Sequence, residues 1–324
     1  METSDFLVIG AGISGLLCAT ELQRAGRSVR VLDKGRGFGG RMATRRLAGG
    51  RLDHGAQYFT VRDPLFQNYV DEWLAAGVVR EWFRKLTDST NSAGHPRYCG
   101  SEGMTDAPKH LAKSLDVRRS EQAVRLIRNG AEWEVRTLAD HSFKAGHLII
   151  TAPLPQALAL LDTSGLDYAG AKRGALGQVR YQRGLATLAI LDGPSGLPMP
   201  GGLMLRESPL SWIADNQIKG ISPEVVAVTL HSDAEFADQH WDSPDEVRGP
   251  LMLAAAKSLI QSRVLEYSCH RWGFTRPINP WPELTFSNPN LGYTLAGDAF
   301  GGERVEGAAL SGLAAAAGLL ESDS

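Results

Sequence analysis

Apolar positions fall in short blocks along this chain, and the first block sets the pattern. Leu7, Val8 and Ile9 form an uninterrupted apolar run, as expected of a strand buried on both faces. Leu16, Leu17, Ala19 and Leu22 then recur at helical spacing, with Gly26 as a stop. A second apolar run over 29–32 predicts the next strand. Strand, helix and strand within about 30 residues predict a parallel βαβ unit.

The pattern then loosens. Phe66, Tyr69, Val70, Trp73 and Leu74 recur at helical spacing behind Pro64, which suits a first turn. This aromatic stripe is read as core, with a place above the substrate cavity as its alternative. Residues 87–96 are a polar loop and a candidate domain crossing. A short amphipathic helix is expected over 106–115, then strands over 117–124 and 126–127. Asn129-Gly130 is a hairpin signal, with 133–137 as the returning strand and another turn at 141–146. Leu148, Ile149 and Ile150 form a second fully apolar strand, which Pro153 ends. A helix over 153–161 opens a different region. There the runs 185–191, 203–205, 212–214 and 225–230 predict one antiparallel sheet, and 244–260 a helix. Ala-rich 314–317 continues a terminal helix.

Glycine placement gives the first fragment its chemistry. Gly10, Gly12 and Gly15 lie between strand and helix in the spacing Gly-x-Gly-x-x-Gly. Gly10 makes the turn, Gly12 exposes bare backbone to a pyrophosphate, and Gly15 lets helix and strand pack closely. Ile13 and Ser14 fall in the first turn, whose free N–H groups face phosphate. Asp33 ends the second strand about twenty residues on, where a carboxylate suits the two hydroxyls of an adenosine ribose. Lys34 opens a loop with four glycines in residues 34–41, in which Gly40 lets backbone approach a ligand and Arg41 is placed to meet phosphate oxygens.

At the other end, Tyr293-Thr-Leu-Ala-Gly297-Asp298 runs into a glycine loop and a small-residue helix. Asp298 and the N-terminal turn of the helix from Val305 are placed to meet the same dinucleotide. Gly307, Ser311 and Gly312 would let that helix sit tightly against the first one.

Gly-x-Gly-x-x-Gly, a following acid and Gly39-Gly40-Arg41 together resemble the FAD-binding half of the flavin amine oxidase superfamily; nicotinamide dehydrogenases share the first part and lack the last. The segment Leu52-Asp-His-Gly55-Ala56-Gln57-Tyr58-Phe59-Thr60 resembles the renalase branch of that superfamily. The resemblance implies that Gly55, Ala56, Gln57 and Tyr58 lie beside the flavin ring, that Val124 meets the adenine side through its backbone, that Asp298 holds the ribityl or pyrophosphate end, and that the helix from Val305 directs its N–H groups at the flavin N1–C2=O edge. It implies substrate contact for Tyr58, Tyr98, Cys99, Gly100 and Ser101, with Trp212 and His270 added. The implied fold is an α/β two-domain flavoprotein like p-hydroxybenzoate hydroxylase. A Rossmann-like FAD domain with a β-meander would hold residues 1–62, 97–153 and 270–324. An α+β substrate domain with an antiparallel sheet would hold 63–96 and 154–269.

Composition narrows the function. The chain has 324 residues, 43% of them hydrophobic, and a net charge of −2, so no polycation asks for nucleic acid or an anionic membrane. Cys18, Cys99 and Cys269 lie far apart without a CxxC pair, which argues against a metal site and fits a reducing, cytoplasmic setting. No stretch has the length of a membrane span, and a basic leader is missing. His54 reads as a structural hydrogen-bonding residue ahead of a catalytic base. Neither a cysteine nor a histidine stands at an attachment point, so FAD is expected to be non-covalent. Several amine oxidases carry an aromatic residue just before the run matching Val305-Glu306-Gly307-Ala308, as one wall of an amine cage. Here the residue is Arg304, a poor wall for an amine and a good neighbour for an anion or the flavin itself.

The renalase resemblance therefore implies an oxidase of 2- or 6-dihydro isomers of NAD(P)H. Hydride would pass to flavin N5 and dioxygen would leave as hydrogen peroxide, with no catalytic side chain required. An amine oxidase and a non-catalytic flavin-binding module are the alternatives. The oligomeric state is left open.

Overall fold

The computed structural model describes residues 3–86, 94–206 and 209–322. The chain opens with β1 (Thr3–Ile9), α1 (Ile13–Arg24) and β2 (Val29–Asp33). A hairpin of β3 (Thr44–Leu47) and β4 (Gly50–Asp53) follows, then α2 (Pro64–Ala75) and a second hairpin of β5 (Val79–Phe83) and β6 (Arg97–Gly100). α3 (Asp106–Ala112) and β7 (Asp116–Arg119) lead to the meander β8 (Ala123–Asn129), β9 (Glu132–Thr137) and β10 (Ser142–Ile150). Next come α4 (Leu154–Asp162), α5 (Lys172–Leu176), β11 (Tyr181–Leu191), β12 (Gly202–Met204), β13 (Leu210–Asp215) and β14 (Ala227–Ser232). α6 (Ala234–Gln239), α7 (Asp245–Ala255) and β15 (Val264–Pro277) precede the closing β16 (Phe286–Asn288), β17 (Tyr293–Leu295), α8 (Asp298–Gly301) and α9 (Val305–Ser322).

This is a mixed α/β two-domain flavin oxidoreductase fold built on two sheets. The larger is eight-stranded, in the order β16-β17-β10-β1-β2-β7, with β9 and β8 continuing from β10. β1 runs parallel to β2 and β10, and both its faces are covered. Phe6, Val8 and Val31 face a layer holding α1, α2 and α9, while Leu7, Ile9 and Leu32 face one holding α4, Trp133 and Tyr293. The aromatic stripe of α2 is core: Phe66 and Trp73 are buried in the first of these layers.

Several local expectations shift. The turn expected at 141–146 is strand, because Lys144 and Ala145 pair at once with β9 and with β1. The turn lies just before, at Asp140, whose φ is 61°. The strand expected over 117–124 breaks at Ser120, also at φ 61°, into β7 and β8. The helix expected over 106–115 ends at Ala112, and that over 244–260 at Ala255. Residues 87–93 of the polar loop lie outside the described residues.

The smaller sheet is antiparallel, in the order β12-β13-β14-β11-β15. Its first four strands match the expected ones. The fifth, β15, pairs along the whole of β11, from Tyr181 with Pro277 to Leu191 with Val264. Residues 270–277 therefore lie in this sheet, although the sequence groups them with the cofactor-binding segments. Conversely Leu154, Leu158, Leu161 and Leu176, assigned with the substrate segments, pack in the core of the larger sheet. β15 is mostly half-buried or exposed and lacks clean alternation, so its pairing is fixed by its partner. Among the described residues no helix is long and apolar enough to cross a membrane.

Candidate cofactor and substrate site

The turn after β1 has the geometry its glycines imply. Gly10 adopts φ 120° and donates to Leu32 O at 2.8 Å. A Cβ on Gly15 would stand 2.1 Å from Gly10 O, so only glycine fits. A Cβ on Gly12 would meet nothing within 4 Å. That open space lies at the start of α1, beside Ser14, whose buried Oγ has no hydrogen-bond partner. Bare backbone, an orphaned hydroxyl and a helix start make a cradle of the kind that suits a dinucleotide's phosphates. Ile13 is buried beneath it.

Asp33 is fixed by two backbone donors, Ala11 N–H at 2.7 Å and Gly35 N–H at 2.6 Å. Its main-chain oxygen accepts from Glu121 N–H at 2.8 Å, which holds the 120–124 segment, with half-exposed Val124, alongside. Lys34 is directed to Gln156 at 3.1 Å and away from the cradle.

Arg41 does not reach out as a free phosphate ligand. Its guanidinium grips the Asp298 carboxylate bidentately, with one bond at 2.8 Å, and donates to Phe274 O at 3.1 Å. Tyr181 Oη adds a bond to Asp298 at 3.0 Å. Burial works against the Arg41 charge, yet the adjacent Asp298 raises its pKa above the usual arginine value. This pair joins residues 257 positions apart in sequence and ties the glycine loop to the start of α8. Gly40 stands close by, its Cβ direction facing Gly12 Cα at 3.8 Å. Gly297 N–H donates to Ser311 Oγ at 2.8 Å. A Cβ on Gly312 would stand 2.1 Å from Ser14 O, so α9 packs directly on the cradle helix.

The segment 53–58 is locked on both sides. Ala56 N–H donates to Arg41 O at 2.8 Å, and a Cβ on Gly55 would overlap that oxygen. Gln57 Nε2 reaches Asp53 O at 2.6 Å, leaving its buried Oε1 without a partner. Underneath lies an ion pair that the sequence reading missed. Lys219 Nζ meets Asp53 Oδ2 at 2.6 Å and Gln57 O at 2.6 Å, and both charged side chains are 0% exposed. Asp53 Oδ1 accepts from Thr44 Oγ1 at 2.5 Å and Met104 N–H at 2.9 Å. Nothing around Lys219 in sequence marks it, since its partner lies 166 residues away.

Tyr58 packs against Phe83 and Trp212, with ring centroids 5.6 and 5.8 Å away. Trp212 is buried and its Nε1 has no partner. Cations of the chain already cover these rings: Arg97 lies over Tyr58 and Phe83 at 5.5 and 5.1 Å, and Lys219 over Trp82 at 4.6 Å. Tyr98 and Cys99, expected at the substrate, are buried in the core with Phe59 and Trp73. Gly100 is needed because a Cβ would stand 1.8 Å from Gly103 O. Ser101 ties the open base of the β5–β6 hairpin, donating to Gly77 O at 2.6 Å. His270 lies edge-on to His54 at 4.9 Å and to Trp272 at 4.4 Å. Arg304 is exposed at the start of α9, with Val305 half-buried after it. Glu306 is buried and accepts the N–H groups of Arg62 and Asp63, which pins α9 to the entry of α2.

His54, His231 and His270 form a neutral cluster. Desolvation pushes His54 down to about 3, helped by His270 and Arg45. It pushes His231 down to about 4 against a bond to His54 O. The unfolded chain takes up these protons near pH 6.5 and the folded chain does not. Their stabilisation is therefore complete above pH 6.5 and is lost as pH falls from there toward 4, at about 1.4 kcal/mol per unit per histidine. Urea unfolding at pH 7.5 and 5.0 should show the wild type losing roughly 2–4 kcal/mol, and His231→Gln losing clearly less.

Two known families cover the chain. Residues 8–73 match the NAD(P)-binding Rossmann-like domain, and 78–320 match the flavin containing amine oxidoreductases. Among solved structures, a candidate protoporphyrinogen oxidase from Exiguobacterium sp. 255-15 superposes with a TM-score of 0.76 at 13% identity, over 99% of this chain and 100% of that one. Wild-type putrescine oxidase bound to putrescine superposes with a TM-score of 0.72 at 15% identity, over 99% of both chains. An engineered triple mutant of putrescine oxidase gives 0.75 at 15%, again over 99% of both chains. At these identities the likeness is one of fold.

Proposed function

The chain belongs to the flavin containing amine oxidoreductase family and is an FAD-dependent oxidoreductase; from that premise we propose that it oxidises a 2- or 6-dihydro isomer of a nicotinamide dinucleotide in preference to an amine. The observation that carries this reading is the charge around the site. By the resemblance, Arg304, exposed at the start of α9, would take the position of the aromatic wall that receives an amine in several amine oxidases. The faces of Tyr58, Phe83 and Trp82 already hold the chain's own cations. A second ammonium would meet repulsion there, whereas a phosphorylated donor would not.

FAD, when bound, accepts the hydride and passes the electron pair to dioxygen, giving hydrogen peroxide. The chain's own part is binding and exclusion. Gly12 and the first turn of α1 would hold the phosphates, Asp33 the adenosine ribose, and Asp298, fixed by Arg41 and Tyr181, the ribityl chain. Gly55–Tyr58, clamped by Lys219 and Arg41, would form the edge of the ring site. A dihydronicotinamide becomes an aromatic cation by losing hydride alone, so no general base is called for. This fits histidines that stay neutral and are engaged in the scaffold. The three free, buried cysteines support a reducing, cytoplasmic setting.

Anaerobic holoprotein mixed with equilibrated NADH, which carries traces of the isomers, tests the reading. Rapid bleaching of the flavin by a small fraction of the nicotinamide, with none by putrescine, is the expected result. Bleaching by amines and by no dihydronicotinamide would overturn it.

A further inference from the structure

We propose that the cleft between Arg62 and Arg304 seats the diphosphate of the dinucleotide substrate, an inference that rests on the dihydronicotinamide reading above. The cleft has a volume of about 730 Å³ and is walled by Arg62, Pro277, Gly302, Arg304 and Leu310, with Glu303 and Glu306 also on its lining. That volume lies within the range of small-molecule sites.

Two arginines, Arg62 and Arg304, and two glutamates, Glu303 and Glu306, line the cleft, and both carboxylates already have partners. Glu303 is paired with Arg276 at 3.1 Å. Glu306 is buried and spent on the backbone N–H groups of Arg62 and Asp63. Among the described residues, neither the Arg62 nor the Arg304 guanidinium has an ion-pair or hydrogen-bond partner. Two free planar forks on one cleft suit an organic diphosphate, whose oxygens they can take bidentately. A smaller cleft of about 430 Å³ adjoins it across Pro277, Ile278 and Glu303. Arg183, Asp238 and the Arg276–Glu303 pair alternate in sign there, which suits the uncharged hydroxyls of a sugar better than phosphate.

Position in the chain supports the same assignment. Gly301 ends α8 and Gly302 and Glu303 follow it directly, while its first residue, Asp298, is bound by Arg41. The cleft shares the α8–α9 loop and the first turn of α9 with the edge expected to face the flavin, and its lining does not include the Gly12 cradle; a ligand anchored there would direct its nicotinamide toward that edge.

Calorimetric titration of the FAD-loaded protein with ADP-ribose tests this directly. ADP-ribose carries the diphosphate without the nicotinamide, and bound FAD blocks the cradle. Wild type should bind it; Arg62→Ala and Arg304→Ala should each weaken binding ~10-fold and the pair more, with full FAD content. The KM for dihydro-NAD should rise by a similar factor at unchanged kcat, while that for phosphate-free dihydronicotinamide riboside stays constant. No binding by wild type, equal binding by the variants, or variants that lose FAD would overturn the assignment. Arginine-dependent ADP-ribose binding with no flavin bleaching by any dihydronicotinamide would uphold the diphosphate site and sink the substrate reading alone.

Discussion

Asp53→Asn and Lys219→Met should each lower the unfolding free energy of the FAD-loaded protein by roughly 3–5 kcal/mol, the cost of leaving one buried charge without its partner. For a chain of this length that is a fall of about 4–8 °C in melting temperature. Both side chains are 0% exposed, so water cannot replace the lost partner. The double variant removes both charges and should cost at least about 1 kcal/mol less than the sum of the singles. Strict additivity in this cycle would show that the two charges do not act as a unit. The pair also matters for the site, because Lys219 Nζ holds Gln57 O at 2.6 Å and so fixes the edge on which the ring is expected to rest.

Gly12→Val should separate folding from cofactor binding. Gly12 has φ −78° and ψ 176°, an extended conformation open to valine, and its Cβ direction is empty within 4 Å. The apoprotein should keep its stability within ~0.5 kcal/mol. FAD affinity should fall about 100-fold or more, the loss expected when two charge-assisted hydrogen bonds to phosphate cannot form. Gly15→Ala is the contrasting case. Its Cβ would stand 2.1 Å from Gly10 O, so the turn itself should fail and expression of folded protein should drop. A Gly12→Val protein that binds FAD normally would place the phosphates elsewhere.

What the sequence disclosed follows from how local each signal is. The β1–α1–β2 unit and its phosphate turn are written in neighbouring residues, as are the β8–β9 hairpin at Asn129-Gly130 and the apolar strand ending at Ile150. Each agrees with the structure because periodicity and turn chemistry suffice to define it. β15 was not legible as a partner of β11, since its half-exposed side chains carry no alternation and only the facing strand sets its register. Nothing local marks Lys219, since its burial depends on Asp53, far away in sequence. Arg41 and Asp298 were each recognised as site residues, but spacing alone could not reveal that they grip each other. Tyr98 and Cys99 pack in the core, and from sequence a strand entering a pocket and one lining a core read alike.

The central claim is that both ends of this chain hold one FAD without a covalent bond. Denaturing the purified yellow protein with acid and measuring flavin in the supernatant and the pellet tests it most directly. One equivalent of FAD per chain in the supernatant is the predicted result. Flavin that stays with the pellet, or a colourless protein that takes up none when FAD is added, would contradict it.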